Sequence, residues 1–520
     1  MGFFAALSEL LPKSLLLAIL SASFFVVGAY FIFNYVSRNL SRRRLSARHG
    51  CQPILAVYPS RWLGVNFIFD TLKNYKERNY LFSLCRQFEV VGWTHEVRML
   101  GGASIWTIDP ENLKAVLSNN FKDYNLGHRL DVMKDLLGRG AFVTDGEEWQ
   151  HSRALLRPSF NREQVANLDM IEEHVSHLLH LIPSGGETVD LQELFYRFTM
   201  DSSTEFLFGE STGTLLEAEN GSGSEFARSF KYALHRVSEG MRLGPVHRFR
   251  KTDHKAEDAN RFCRNYVRKY VDQALAYRKK LANQDDLSGS ERKTFLMGLA
   301  MATDDREKMC DELISLLLAG RDTTASLIGS VIFCLSRNAS QWKRVRNEVQ
   351  STFGDRLPTY EELRSLQYVK HCINEALRLF PPVPNNAKMA TEVTVLPRGG
   401  GPDGKAPVLV PKGCMILYTV FALHRRKDLW GDDAGEFRPE RWEKGRKFAW
   451  DFLPFNAGPR ICLGQQYALT EAMYVLVRMA QEFETIESRD EEPWVESLEL
   501  TVSSGNGVKV AVQRAKTGST

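Results

Sequence analysis

One cysteine stands in a sequence frame that constrains its surroundings more than any other part of the chain. Residues 455–464 read FNAGPRICLG, so that Cys462 follows a loop punctuated by Gly458 and precedes an apolar stretch with helical periodicity. This pattern predicts a helix over residues 463–483, with the cysteine in its first turn. Backbone N–H groups and the positive end of a helix dipole favour a thiolate there. The frame therefore predicts a sulfur that can bind a metal ion.

The frame resembles the haem-binding loop of the cytochrome P-450 superfamily. The resemblance implies that Cys462 is the axial ligand of haem iron, and a thiolate ligand favours O–O cleavage. It also implies that Phe455 belongs to the cofactor-binding loop and that Arg460 meets a haem propionate. We expect Gly458 to let the backbone approach the macrocycle closely. The alternative is a structural cysteine beside a glycine turn, but Phe, Gly, Arg, Cys and Gly in one frame favour the haem ligand.

A second motif lies in a long helix predicted over residues 306–338. Residues 319–324 read AGRDTT. Gly320 weakens the helix locally, and the Thr323 hydroxyl can bond to the carbonyl four residues back. Asp322 beside Thr323, in an otherwise apolar helix, provides an acid and a hydroxyl that can deliver protons to reduced dioxygen. The motif resembles the oxygen-activation helix of the same family, which implies that both residues are catalytic; a buried helix with an incidental charge pair is the alternative.

Six further residues resemble fixed points of the family. Glu375 and Arg378 are spaced i, i+3 and share a helix face, and with Arg441 they resemble the Glu–Arg–Arg network that locks the cysteine loop to the core. A solvated helix-face pair is the alternative. Trp149 and Arg153, spaced i, i+4, resemble the pair that hydrogen-bonds the haem propionates. Lys388 stands where the family usually has arginine, and it keeps the charge while losing the planar fork.

The N-terminal segment predicts a membrane anchor. Residues 15–33 contain no charged side chain, and a helix of this length spans roughly 28 Å, close to the hydrocarbon thickness of a bilayer. Five arginines follow, at positions 38, 42, 43, 44 and 48, which predicts a lumenal N-terminus and a cytosolic body. We expect a single-pass protein of the endoplasmic reticulum membrane. It would have an anchor over residues 1–37, a basic and proline-containing connector over 38–70, and a haem-thiolate monooxygenase domain over 71–520.

Charge and cysteine usage exclude other classes of protein. The formal net charge is +4, which the five arginines beside the anchor exceed, so that the basic balance gives no support to nucleic-acid binding. The eight cysteines lack paired spacings and do not indicate a disulfide framework or a zinc site.

The periodicity predicts a mainly α protein with a minor β-sheet region, and the resemblance implies the cytochrome P-450 fold preceded by one transmembrane helix. The polar stretches 217–225 and 283–293 are predicted as loops. The predicted strands are 94–100 paired with 104–107, then 388–395, 408–410 and 415–421, and finally a hairpin of 499–504 with 508–513.

These motifs resemble one subgroup of the family, the fungal microsomal enzymes that oxidise alkanes and fatty acids. The segments that carry this likeness are LLGRG at 136–140, DSSTEFLFGE at 201–210, LAGRDTTA at 318–325, GGGPDG at 399–404 and FNAGPRICLGQQYA at 455–468. The resemblance implies haem b, O2 and NADPH-derived electrons. It also implies insertion of one oxygen atom into an unactivated C–H bond of a lipophilic substrate, a long-chain fatty acid or alkane oxidised at its end.

The implied electron donor is a separate NADPH-dependent flavoprotein reductase, since the chain carries no dinucleotide or flavin fingerprint, and cytochrome b5 is a further candidate. Three alternatives stay open: a monooxygenase of a fungal secondary-metabolite pathway, a haem-thiolate isomerase or peroxide-driven catalyst, and a haem-binding sensor or electron carrier. The Asp322–Thr323 pair argues against the isomerase, whose chemistry needs no proton relay.

Overall fold

The computed structural model describes residues 42–59, 64–99, 102–183, 185–216, 221–282, 294–443 and 449–515, together with Leu40 and Gly445. The predicted anchor, the predicted loop at 283–293 and part of the connector lie outside these residues.

Long amphipathic or fully apolar stretches form the helices, as the periodicity predicts. They are α1 Val65–Lys76, α2 Tyr80–Val91, α3 Pro110–Lys114, α4 Arg129–Leu137, α5 Gly146–Leu156, α6 Arg162–Val165, α7 Leu168–His180, α8 Leu191–Phe208, α9 Ser222–Leu243, α10 His254–Ala282, α11 Phe295–Ala302, α12 Arg306–Ser336, α13 Ala339–Phe353, α14 Tyr360–Ser365, α15 Tyr368–Leu379, α16 Val420–Leu423, α17 Lys427–Trp430 and α18 Gln465–Glu482. A π-helical turn, Ala115–Asn119, continues α3.

The strands form four small sheets. They are β1 Thr94–Met99, β2 Gly102–Thr107, β3 Tyr124–Asn125, β4 Val189–Asp190, β5 Asn385–Ala390, β6 Thr394–Gly400, β7 Ala406–Val410, β8 Met415–Thr419, β9 Phe483–Ser488, β10 Glu496–Leu498, β11 Val502–Ser504 and β12 Lys509–Arg514. The largest sheet has the order β1-β2-β8-β5-β3, the next β4-β12-β9, and two pairs, β6-β7 and β10-β11, complete the set. Among the strands of the described ranges, β2 and β8 are the one pair that runs parallel. The described residues therefore form a helical protein with a minor β region, as expected.

Helix α12 lies at the centre of the core. It packs against α8, α10, α15 and α18, and from Met309 to Ser336 nearly every side chain is buried. Among the described residues it is the one helix long and apolar enough to cross a membrane, and 72 % of its most apolar window is buried inside the protein. Its apolarity is therefore that of a core helix.

The structure corrects several local predictions. The predicted strand at 388–395 is two strands, because Thr391 donates its N–H to the Asp123 carbonyl at 2.7 Å and the chain leaves the pairing with β8. Strand β8 ends at Thr419, whose side chain caps α16 by accepting the Ala422 N–H. The loop predicted over 217–225 ends early, since α9 begins at Ser222.

The predicted C-terminal hairpin is wrong. Strand β11 pairs with β10, whereas β12 pairs with β9 and β4. The turn at Gly505 therefore connects two different sheets. Gly505 donates its N–H to the Val495 carbonyl at 2.7 Å, and Asp190 on β4 accepts the Val508 N–H at 2.8 Å, which directs the two strands apart.

The β10–β11 pair is tied to helix α2 by one carboxylate. Glu496 is 2 % exposed and accepts the N–H groups of Tyr80 and Leu81, at 2.6 and 2.8 Å. These are first-turn donors of α2 that would otherwise lack a partner. Burial raises the pKa of Glu496 to about 7, although the two N–H groups lower it.

This pKa predicts a pH dependence of stability. Because the folded pKa lies above the ordinary value of 4.5, the folded state binds more protons between these values. Its stability therefore falls as the pH rises from about 4.5 to about 7. Glu496→Gln removes this pH-dependent loss of stability. The difference in the free energy of unfolding, variant minus wild type, is therefore expected to increase by at most about 3 kcal/mol between pH 5 and pH 8. Denaturant unfolding at both pH values, with the exposed Glu491→Gln as control, checks this; equal shifts for both variants would contradict it.

Candidate active site

The cysteine loop is closed by its own backbone. Cys462 donates its N–H to the Phe455 carbonyl at 3.0 Å. Gly458 has φ 68°, and a Cβ atom there would lie 1.8 Å from the Leu117 carbonyl oxygen. The glycine is therefore required by the contact of the loop with the π-helical turn, and the expected approach of the backbone to the macrocycle stays a prediction. Helix α18 begins at Gln465, so that the cysteine precedes the helix and does not lie in its first turn.

Cys462 is an exposed residue with protein packed closely around it. The residue is exposed, yet the protein around it is dense enough for burial to raise the pKa of the thiol, against the lowering effects of the Gly464 N–H and the Arg153 guanidinium. The Gly464 N–H, at the start of helix α18, lowers the pKa of the thiol, as the sequence predicts. In the protein without its cofactor, burial has the larger effect and the pKa is raised.

After its exposed first turn, helix α12 has one short segment whose residues are not buried. Within Met309–Ser336, the residues outside the buried set are Ala319, Gly320 and Thr323. Residues spaced i, i+1 and i+4 share one helix face, and α12 packs on α18, the helix that follows the cysteine. The Thr323 hydroxyl donates to the Ala319 carbonyl at 2.6 Å, as the sequence predicts. Between Met309 and Ser336, the one part of this core helix outside the buried set is therefore the segment that the motif singled out.

Asp322 faces a different space from Thr323. It pairs with Arg321, Nη1 to Oδ1 at 2.5 Å, and burial raises its pKa although Arg321 lowers it. Asp322 and Arg321 line a cavity of about 950 Å³ between α8, α9, α10 and the β10–β11 turn, whose other polar walls include Lys231 and Glu499. The acid of the motif is thus next to a polar cavity, while the hydroxyl belongs to the open face of the helix.

Four cations converge beside the cysteine loop. The Arg153 guanidinium donates to the Ile461 carbonyl at 3.1 Å and lies 5.8 Å from the centre of the Trp149 ring. Arg460 lies 4.4 Å from the same ring. The third and fourth cations are Lys388, whose Nζ lies 5.8 Å from the Phe121 ring, and Arg129, which donates to Asn386 Oδ1 at 2.8 Å. We call Arg129, Arg153, Lys388 and Arg460 the cation cluster.

The cation cluster holds more positive charge than the protein neutralises. Asp145 accepts from Arg460 at 2.7 Å, and it is the one carboxylate among the charged groups that perturb Lys388 and Arg460. Burial, followed by the neighbouring arginines, lowers the pKa of Lys388 to about 7. Burial also lowers the pKa of Arg460 to about 10.

Two buried guanidinium nitrogens of the cluster also lack acceptors. Nε of Arg129 and Nε of Arg460 have no hydrogen-bond partner within the described ranges. Buried cations with unsatisfied donors are costly, and the two propionates of a haem would supply the missing anions. With an accessible cysteine sulfur beside them, the residues present fit a haem.

The predicted ion network is buried and complete. Glu375 and Arg378 are both 0 % exposed and form two bonds, Nε to Oε2 at 2.9 Å and Nη2 to Oε1 at 2.8 Å. Arg441 donates Nε to Glu375 Oε1 at 2.7 Å. The carboxylate also accepts the Arg438 N–H and the Trp442 indole N–H. The structure thus brings together the three residues that the sequence proposed as a network.

A histidine connects this network to the cysteine loop. The His424 Nδ1–H donates to the Arg378 carbonyl at 3.2 Å, and Nε2 accepts the Leu453 N–H at 2.9 Å. These two bonds fix the tautomer, and burial together with Arg378 lowers the pKa of His424 to about 3. Leu453 lies two residues before Phe455, so the loop is held from its N-terminal side.

Sequence reasoning missed Arg129, Asp145 and His424. Arg129 stands at the start of α4 without a recognisable motif, and only the fold places it near Lys388. Asp145 precedes Trp149 by four residues, a spacing that could have suggested a pairing with the tryptophan helix. His424 carries no sequence signal, because its two partners lie 46 and 29 residues away.

Comparison with known proteins agrees with this geometry. The family model for cytochrome P450 matches residues 62–508. Cytochrome P450 monooxygenase fsdH of Fusarium heterosporum is 57 % identical over 519 residues, covering 98 % of this chain and 91 % of that relative. Cytochrome P450 monooxygenase himC of Aspergillus japonicus is 53 % identical over 470 residues, covering 90 % and 84 %. Cytochrome P450 52A10 of Candida maltosa is 42 % identical over 487 residues, covering 89 % and 92 %.

The match spans the described helical body, from the start of α1 to the last sheet, and it confirms the fold expected from the cysteine loop. It also confirms the expected enzyme class and cofactor, since members of this family are oxidoreductases that bind haem b and use O2 with NADPH-derived electrons. The chain belongs to the cytochrome P450 family of monooxygenases.

Proposed function

We propose that this P450 is a membrane-anchored haem-thiolate monooxygenase in which Cys462 is the iron ligand. The observation that carries the assignment is the break in the buried stretch Met309–Ser336 of α12 at Ala319, Gly320 and Thr323, in a protein whose exposed Cys462 lies beside the Arg153 guanidinium. A thiolate-bound haem supplies the activation of O2. The protein's own residues bind the cofactor, orient the substrate and move protons.

In this proposal Trp149, Arg153, Lys388 and Arg460 hold the haem carboxylates. Arg460 is also paired with Asp145, so it can share its guanidinium between two anions. Lys388 offers a point charge where arginine would offer a fork, and an anion beside it favours its charged form. Phe455 belongs to the cysteine loop, and its carbonyl accepts the Cys462 N–H. Glu375, Arg378 and Arg441 form the buried network that stabilises the position of the loop.

Protons are proposed to enter through Asp322 and leave at Thr323. Asp322 borders a cavity of about 950 Å³ with polar walls, and its raised pKa favours a bound proton. A lone pair of the Thr323 oxygen accepts a proton from Asp322, while the hydroxyl's own hydrogen, which is donated to the Ala319 carbonyl at rest, passes to the acceptor on the open face of the helix. Asp322 must release Arg321 and turn towards the neighbouring hydroxyl for transfer.

Residues 1–37 are proposed to anchor the body to the endoplasmic reticulum membrane, with residues 38–70 as the connector and 71–520 as the catalytic domain. The support is the uncharged stretch 15–33 followed by five arginines. The P450 family uses redox partners such as an NADPH-dependent reductase. We propose that such a reductase, with cytochrome b5 as a second donor, reaches the domain from the cytosolic side.

For the substrate we propose a long linear lipid oxidised at or near its methyl end. The α12 stretch before Ala319 reads LISLLL over residues 313–318, and the motifs resemble the alkane- and fatty-acid-oxidising subgroup. The 42 % identity to cytochrome P450 52A10 is compatible with that likeness. The monooxygenases fsdH and himC are also similar, and an intermediate of a fungal secondary-metabolite pathway is the second candidate substrate.

The iron ligand is tested by Cys462→Ser. We expect loss of the red-shifted Soret band of the ferrous–CO complex, because an alcohol does not replace the thiolate. Cys51→Ser, in the connector, serves as the control and keeps the band. A normal band in the Cys462 variant would refute the ligand assignment.

The buried network is tested by Glu375→Gln and Arg378→Leu. Each change strands a buried charge, which costs roughly 3–5 kcal/mol, so we expect purified protein with little or no haem. Arg356→Leu removes an exposed ion pair with Glu362 and is expected to retain full haem content, measured by pyridine haemochrome absorbance. Full haem in the two network variants would show that the pair does not support the loop.

Proton delivery is tested by Thr323→Ala. The variant is expected to bind haem normally and to divert NADPH-derived electrons to hydrogen peroxide, because general acid–base assistance is worth about 100-fold or more. The measurement is the ratio of product formed to NADPH consumed. Thr324→Ala, one residue along and buried, is the matched control, and equal coupling in the two variants would contradict the role of Thr323.

The substrate class is tested with a series of saturated fatty acids and alkanes. Each buried methylene contributes about 0.8 kcal/mol, so affinity is expected to rise roughly three- to fourfold per methylene until the channel is full. Oxygen is expected at or near the methyl end. Binding spectra and product analysis provide the readout; oxidation of a cyclic or branched metabolite without turnover of any linear chain would favour the second candidate.

A further inference from the structure

The LLGRG motif at residues 136–140, which precedes helix α5, has no role in the proposed haem ligation or proton delivery. Gly138 has φ 55°, and a Cβ atom there would lie 1.9 Å from Asp311 Oδ1. Residues 138–145, which we call the strap, therefore lie directly against the carboxylate face of α12, and a side chain at this glycine would push them away.

Two buried carboxylates of α12 bind the backbone of the strap. Asp311 Oδ2 accepts the Arg139 N–H at 2.7 Å, and Glu312 Oε2 accepts the Ala141 N–H at 3.0 Å. Asp311 is 7 % exposed and Glu312 is 0 % exposed. Hydrogen bonds from N–H groups to ionised carboxylates are stronger than neutral ones, so the N-terminal half of the strap is fixed to the core helix.

Each of the two carboxylates is paired with a cation. Arg264 Nη2 lies 2.8 Å from Asp311 Oδ1, and Lys308 Nζ lies 3.0 Å from Glu312 Oε1. These distances identify ion pairs, although their angles are poor for hydrogen bonds to the same oxygens. Lys308 also donates to the Arg139 carbonyl and to the Ser152 hydroxyl on α5, at 2.9 and 2.7 Å. The attachment is therefore shared between the strap and the helix that carries Trp149 and Arg153.

The C-terminal half of the strap holds the cation cluster. Arg460 donates to the Thr144 carbonyl at 2.8 Å and to Asp145 Oδ1 at 2.7 Å. Thr144 Oγ1 donates back to the Gly140 carbonyl at 3.0 Å, which stiffens the strap internally. One short segment thus connects the carboxylates of α12 with a guanidinium of the cysteine loop.

We propose that Asp311 and Glu312 are positioning residues for haem retention: through the strap they fix Arg460, and through Lys308 they fix α5 with Trp149 and Arg153. The inference rests on the proposed role of the cation cluster in holding the haem carboxylates. If the strap is released, Arg460 and α5 lose their common support and the cofactor dissociates faster, while Cys462 is untouched.

The test is the rate at which haem leaves the intact protein for excess apomyoglobin. Asp311→Ala and Glu312→Ala are expected to lose haem at least tenfold faster than wild type. Asp311→Asn and Glu312→Gln keep an acceptor oxygen without its charge and are expected to lose haem about threefold faster. Glu307→Gln is the matched control, because Glu307 lies on the same helix and pairs with Arg264 and Arg268; its rate should equal that of wild type.

Hydrogen exchange of the haem-bound variants separates this role from general destabilisation. Faster exchange confined to the amides of residues 138–145, together with faster haem loss, supports the proposal. Faster local exchange with an unchanged rate of haem loss overturns it. If an alanine variant does not fold, the amide variants decide, and wild-type haem loss in both of them overturns it. Cys462→Ser tests the haem ligand separately, so the two assignments fail independently.

Discussion

The Glu375 carboxylate has no contact with water, and the surrounding chain is arranged to compensate its charge. A buried charge that loses a partner is costly, so Arg378, Arg441, the Arg438 N–H and the Trp442 indole must all be in place together. These groups come from α15 and from the segment that leads to the cysteine loop. Arg378 in turn donates to the carbonyls of His424, Ala434 and Glu436. The position of the loop therefore follows from the neutralisation of one carboxylate.

Local features of the sequence were sufficient for much of the site. The long helix over residues 306–338 was predicted from its apolar run, and the bond from Thr323 to Ala319 followed from the i, i+4 geometry of a threonine in a helix. Glu375 and Arg378 could be paired because three residues separate them on one helix face. Each of these predictions uses contacts between residues close in sequence, where backbone geometry alone fixes the distance.

Features that depend on distant contacts could not be predicted. The C-terminal residues have the turn glycines of a hairpin, but β12 pairs with β9 and β4. No local sequence pattern predicts these two partners. Arg129 joins the cation cluster only because α4 packs near β5. The sequence gives no sign that the Leu117 carbonyl occupies the space of the missing side chain at Gly458. In each case the deciding neighbour is far away in the chain.

The charge imbalance beside the cysteine loop has a consequence for how the protein is made. Before the cofactor arrives, the newly made chain contains four cations and one carboxylate in a region that is to become buried. Such a chain must keep this region hydrated, or keep Lys388 uncharged, until an anion enters. On the proposed role of the cation cluster, completion of the fold is coupled to cofactor supply: a cell that synthesises the polypeptide faster than the porphyrin would accumulate incompletely packed molecules, and proteases and chaperones would encounter these first.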